Sequence, residues 1–211
     1  MDADFSIELG PEDPVLDFPW KDPSGKLAYV DLKRHPELMA RIEEAQKFPE
    51  LGEFLRAMNS ARSMVETAKC DAWAATELSP EEEVYDASHK FVSYVDVVFS
   101  NIDVHQSSLP QSSLRHSSVH QSSLRESLPA HEQFARKLVE LLRRVPEIPS
   151  AAEVCVRRCF FGEDGGVREG FYCTVYVSGY GNDSASARQN WAVGLKLTGN
   201  AIVQLSASGA G

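Results

Sequence analysis

At 211 residues, with 43% hydrophobic and 25% charged side chains, the chain has the composition of an ordinary globular protein long enough to bury a core. Its net charge of −10 lies entirely in residues 1–90, which hold 20 acids against 10 bases, while residues 91–211 hold 11 of each. That sign argues against nucleic acid as a partner. The opening "MDADFSIELG" has acids where a signal peptide carries bases, and no segment approaches the ~20 apolar residues of a membrane span. The expectation is therefore a cytoplasmic protein with no membrane partner, whose four cysteines (Cys70, Cys155, Cys159 and Cys173) are thiols.

Residues 1–25 read as an extended arm, because Pro11, Pro14, Pro19 and Pro23 each fix φ and remove a donor. The rest, 26–211, reads as one domain. "LAYVDL" (27–32) is predicted as a short strand. "HPELMARIEEAQKF" places Leu38, Ile42, Ala45 and Phe48 on one helical face, and Pro49 restarts a helix through Leu51, Phe54, Leu55, Met58, Ala61 and Val65. "KCDAWAATEL" is read as a strand presenting Trp73, and "SPEEEVYDASH" as a short helix capped by Ser79. "KFVSYVDVVFS" alternates cleanly: Phe91, Val95, Val97 and Phe99 on one side, Tyr94, Asp96 and Val98 on the other.

Next comes "HQSSLPQSSLRHSSVHQSSLRESLP" (105–129), a tandem pentapeptide. Re-phased as SSLPQ, SSLRH, SSVHQ, SSLRE, it resembles the pentapeptide-repeat family, whose β-helix spends four pentapeptides on each coil. One coil at most is present, and the Asp or Asn usual before the central leucine is missing, so the resemblance implies no solenoid. A period of five matches neither strand nor helix, and the segment at 103–127 is predicted as a disordered loop. Its three histidines (His105, His116, His120) lack the partners of a tight metal site.

After the repeat, "HEQFARKLVELLRRV" is an amphipathic helix, and "AAEVCVRRCFF" and "REGFYCTVYVSGY" are strands of a hairpin across "GEDGGV". In the tail, Trp191, Leu195, Thr198, Ile202 and Leu205 keep helical spacing in spite of Gly194 and Gly199. The fold class that follows is α+β: a two-layer arrangement, an antiparallel sheet with helices on one face, and a helix-hairpin unit occurring twice.

No Gly-rich phosphate loop, G-x-S-x-G or H-E-x-x-H is present, and the sequence assigns no catalytic residue, cofactor or metal. Asp71, Glu77 and Asp96 form a conceivable carboxylate set, better explained as acids facing solvent. With a turn at Gly165-Gly166, Phe160 faces Phe171, Val156 faces Val175 and Val154 faces Val177. Cys173 then lies on the aliphatic face, opposite Cys155 and Cys159. The other face carries Arg157, Tyr172, Tyr176 and Tyr180, joined by Trp73 and Tyr94 if those strands share it. Such a face suits a ligand or a partner surface. Arg158 and Arg168 are the candidate anion-binding residues. The reading is a non-enzymatic module that self-associates or binds another protein through this face or its acidic first third. The alternative is a domain or enzyme that binds an anionic small molecule between sheet and helices, near Arg158 and His89.

Overall fold

The computed structural model describes residues 1–75, 85–100, 124–163 and 166–208. Most of the Ser79-capped helix and most of the pentapeptide lie outside the described residues, as do Glu77 and the hairpin turn at 164–165.

The chain is a mixed α+β fold around one open six-stranded sheet. Residues 1–25 supply two of its strands, β1 (Asp2–Glu8) and β2 (Leu16–Phe18). Both run parallel to β5 (Ser150–Glu163), so the sheet is mixed where the sequence predicted antiparallel. The prolines permit this: "DADFSIE" contains none, and "LDF" fits between Pro14 and Pro19. Along β1 the residues alternate, with Ala3 and Phe5 toward the core. The strands β3 (Val65–Ala75), β4 (His89–Phe99) and β6 (Gly166–Gly181) complete the order β1-β5-β6-β4-β3, with antiparallel pairing from β5 to β3.

The first helical region departs from prediction in register. Pro36–Arg41 is a 3₁₀ turn, Ile42 is extended, and α1 spans only Glu43–Lys47. Residues at a spacing of three therefore face inward: Met39, Ala45 and Phe48 are buried and Ile42 partly so. No strand forms at 27–32. Instead Lys21 bridges Ala28, and the Tyr29 N–H donates to the Trp20 carbonyl. Helix α2 (Pro49–Met58) ends well before Val65. Asn59 stops it: the side-chain amide donates to Leu55 O at 2.8 Å and Thr67 Oγ1 at 2.7 Å, and its oxygen accepts from Thr67 N–H. Val65 thus opens β3 instead of continuing the helix.

The helices α2, α3 (Leu128–Arg143) and α4 (Ser184–Ser208) share one apolar cluster with the strands. From the sheet come Phe91, Val95, Val97, Val154, Val156, Val175 and Val177; from the helices come Leu51, Leu138, Leu142, Trp191, Leu195 and Ile202. The α4 glycines explain themselves here. A Cβ at Gly194 would overlap the Ser150 hydroxyl, and one at Gly179 in β6 would overlap the Trp191 backbone. The helix lies directly on the strand because both positions lack a side chain.

Candidate functional site on the outer face of the sheet

Opposite this cluster is the outer face, and strand register fixes what it carries. One cross-strand row reads Trp73, Val92, Ser178, Ala151, Asp2. The next is Asp71, Tyr94, Tyr176, Glu153, Asp4, and the third is Lys69, Asp96, Thr174, Cys155, Ser6. Within the hairpin, Val154 pairs with Val175, Val156 with Cys173 and Arg158 with Phe171. The observed register is two residues away from the predicted one, because Glu163 pairs with Gly166 and the connection is 164–165 rather than 165–166. A shift of two preserves the face of every side chain.

The arm divides this face. Leu16, Phe18, Trp20 and Tyr29 pack over Ala68, Val98, Cys159, Phe161 and Tyr172. The Phe18 ring centroid lies 4.6 Å from that of Tyr29 and 5.8 Å from that of Phe161. Trp20 Nε1 donates to Ala68 O. Beside this cluster Arg125, from a 3₁₀ turn at Leu124–Glu126, is buried. Its guanidinium stands 4.8 Å over Phe161 and 5.4 Å over Phe18, pairs with Glu66, and donates from Nε to Phe99 O at 2.7 Å. Burial pushes the Glu66 carboxyl up, against the pull of Arg125. The end of the pentapeptide is thus part of the folded domain rather than of a loop.

Between the arm and the open end runs a polar network. Arg157 donates from Nε to Glu8 Oε2 at 2.7 Å and from Nη1 to Thr174 Oγ1 at 3.0 Å and Tyr176 Oη at 3.2 Å. Thr174 in turn donates to Asp96 Oδ1 at 2.7 Å. Burial raises the Asp96 carboxyl to about 6, although Thr174, Lys69 and Arg157 all oppose that. Burial acts on Glu8 in the same sense, but Arg157 with Ser6 and Cys155 together outweigh it and hold Glu8 below its ordinary value.

Of the residues singled out from sequence, three form an aromatic series across two adjacent rows, exposed at Trp73 and half-buried at Tyr94 and Tyr176. The Trp73 and Tyr94 ring centroids are 6.3 Å apart, those of Tyr94 and Tyr176 are 6.1 Å apart, and Trp73 is 40% exposed. The other three are buried. Tyr172 lies under the arm, Tyr180 stacks on Tyr85 at 4.8 Å, and Arg157 is held in the network. Arg158 and Arg168 do not converge. Arg158 pairs with Phe171, whose side chain packs against the inner cluster, and it donates to Leu9 O; Arg168 pairs with Phe161 of the arm cluster and meets Glu126 at 3.4 Å. Asp71 and Asp96 fall in adjacent rows rather than in one carboxylate set.

Sequence reasoning did not find Glu8, Glu66, Thr174 or Arg125 as partners. Glu8 needs β1, and Arg125 sits inside the repeat, so no local pattern points to either.

The thiols are free, and burial raises each. Cys70, Cys155 and Cys159 are pushed up to about 12. None is an activated nucleophile. Donor atoms of Glu8, Glu153 and Cys155 lie within 4.8 Å of one another. Ligation there would have to break the Glu8–Arg157 pair and deprotonate a buried thiol, so this trio reads as an ion pair beside a thiol.

Comparison with protein-family models, curated proteins and solved structures finds no match to this chain. Among the described residues, no helix is long and apolar enough to cross a membrane.

Proposed function

We propose that the chain is a non-enzymatic module that pairs with a second copy of itself through the open part of the outer face. The aromatic series Trp73–Tyr94–Tyr176, exposed at Trp73 and half-buried at the two tyrosines, carries this reading. Aromatic side chains of this kind are enriched at contact surfaces because they bury much area at little entropic cost. The surrounding charge supports a self-complementary contact. Asp2, Asp4 and Glu153 make the β5–β1 side acidic, and Lys69 and Lys90, beside Asp71 and the buried Asp96, supply the cations of the β3–β4 side. A two-fold arrangement brings one side against the other.

The order helix, strand, strand occurs twice, as α2-β3-β4 and α3-β5-β6. We take it as a two-layer arrangement with a repeated helix-hairpin unit, which keeps helices to one side and leaves the other for contact. Four free thiols suit a reducing, cytoplasmic setting. The rival site between sheet and helices finds less support: that space holds the apolar cluster, and Arg158 is engaged with Leu9 O.

Sedimentation velocity at micromolar to sub-millimolar concentration tests the proposal, with Trp73→Arg as the splitting variant and Tyr176→Phe as the ring-retaining control. The expected result is a dimer for the wild type and the control and a folded monomer for Trp73→Arg. A wild type that stays monomeric throughout overturns it. Tyr172 is unsuitable for this test, because an arginine there would bury a charge in the arm cluster and unfold the chain whatever its assembly state.

A further inference from the structure

A cleft of about 290 Å³ opens beside β3, between the arm, the 3₁₀ turn with α1, and the strand itself. Trp20 and Tyr94 form aromatic walls, and Leu27, Val30, Ile42 and Leu55 line its apolar part. Its ionisable lining comprises Glu43, Glu44 and Asp71 with Arg41 and Lys69. Lys69 lies opposite Asp96 in the β3–β4 register, and its charge favours the ionised Asp96. The lining therefore holds three carboxylates against two cations. Lys69 also places its ammonium 5.4 Å over the Trp20 ring, so this wall already accommodates a cation. The sign of the field is visible on Cys70, a lining residue: after burial, the groups that raise its thiol are Glu44, Asp71 and Asp96, all acids.

From this juxtaposition of aromatic walls, apolar lining and excess carboxylate we infer that the cleft binds a small organic cation, an amine carrying an apolar or aromatic body. An extended peptide added to the β3 edge fits less well. Trp20 Nε1 takes the Ala68 carbonyl, and Asp71 Oδ1 accepts from Ala72 N–H at 2.7 Å, so edge groups on both sides of Cys70 are engaged. The volume suits a compact ligand whose ammonium meets Glu44 or Asp71 while its body lies against Leu27, Ile42 and Tyr94.

Calorimetric titration with phenethylamine, 3-phenylpropionate and phenethyl alcohol tests this on the full chain. These probes share a body and differ in the sign of the head group. Phenethylamine binds at least roughly tenfold more tightly than either of the others if charge-assisted contacts select it. The double change Glu44→Gln with Asp71→Asn keeps acceptor oxygens, including the one for Ala72 N–H, and removes both charges. It weakens phenethylamine roughly tenfold and leaves phenethyl alcohol unchanged. Leu27→Trp, at a residue 62% exposed, fills the cleft and weakens all three probes alike. No binding of phenethylamine, equal binding of amine and acid, or indifference to the double change would each overturn the proposal. Because Asp71 and Tyr94 belong to both surfaces, the titrations are repeated on the Trp73→Arg monomer, where the same selectivity is expected whatever becomes of self-association.

Discussion

On the inner side, the strands meet α2, α3 and α4 through valine, leucine and phenylalanine, and the buried polar contacts there are neutral: Trp191 with Ser93, Asn59 with Thr67. On the outer side, the same strands and the arm hold Glu66, Asp96, Arg125 and Arg157, the four charged side chains buried among the described residues. Apolar burial stabilises without specifying partners, whereas a buried charge costs several kcal/mol unless its partner is in place. The inner face thus supplies stability, and the outer face ties distant segments to one arrangement. Arg157 joins β5 to β1, and Arg125 joins the end of the pentapeptide to β3.

The contrast can be broken hardest from the inside. Trp191 is fully buried, 4.7 Å from the Phe91 ring and 6.1 Å from Phe48. Trp191→Ala leaves a large cavity and an unpartnered Ser93 hydroxyl, and is expected to cost about 3–5 kcal/mol in urea denaturation. On the outer side, Arg125→Ala strands Glu66 without its counter-charge, for an expected loss of about 3 kcal/mol. Adding Glu66→Gln should restore part of that loss. A double-mutant cycle showing no coupling would mean the pair contributes nothing specific.

A smaller effect separates the faces by pH. The Asp96 carboxyl titrates near 6 in the fold against an ordinary 3.8, so the folded state binds its proton more tightly. Stability from this group therefore rises as pH falls from above 6 towards 4. His131, on the inner side against Phe99, behaves oppositely. Burial lowers it to about 4, so its contribution is present above its ordinary 6.5 and is lost as pH falls through 4. The two oppose each other over the same range. Asp96→Asn, which keeps an acceptor for Thr174, should raise stability at pH 7.5 by about 2 kcal/mol and steepen the fall on acidification to which His131 contributes. A variant whose pH profile matches the wild type would show that Asp96 stays ionised throughout.

Much of this division was legible in the sequence through parity alone. The strict alternation of "KFVSYVDVVFS" put Phe91 and Val95 on one side and Tyr94 and Asp96 on the other, and the hairpin faces survived a two-residue register error. The α4 helix was legible because Trp191 to Ile202 keeps a 3.6 period; why Gly194 belongs there needed the position of Ser150. What stayed hidden depends on partners far away in the chain. A seven-residue strand followed by a proline-rich stretch gives no sign that it pairs 149 residues later. Nor could local pattern show that Tyr172 would be covered, because Phe18 and Trp20 read as parts of an arm. The open aromatic row was half legible: residue types marked Trp73, Tyr94 and Tyr176 together with Tyr172 and Tyr180, and only the path of the arm and the stack of Tyr85 separate them.

The smallest expected effect marks where the outer side ends. Replacing residues 105–121 by a short Gly-Ser link should change stability by no more than about 1 kcal/mol, since closure entropy varies slowly with length. Extending the replacement through 126 removes Arg125, with its bonds to Glu66 and Phe99 O and its place over Phe161. That longer cut should cost about as much as Arg125→Ala, roughly 3 kcal/mol. The 3₁₀ turn also packs against β6, where a Cβ at Gly170 would overlap the Arg125 carbonyl. Melting curves of the two replacements, compared with Arg125→Ala, locate the boundary between repeat and domain. Equal loss from both would place it earlier than Leu124, and no loss from either would mean that Arg125 does not hold the arm.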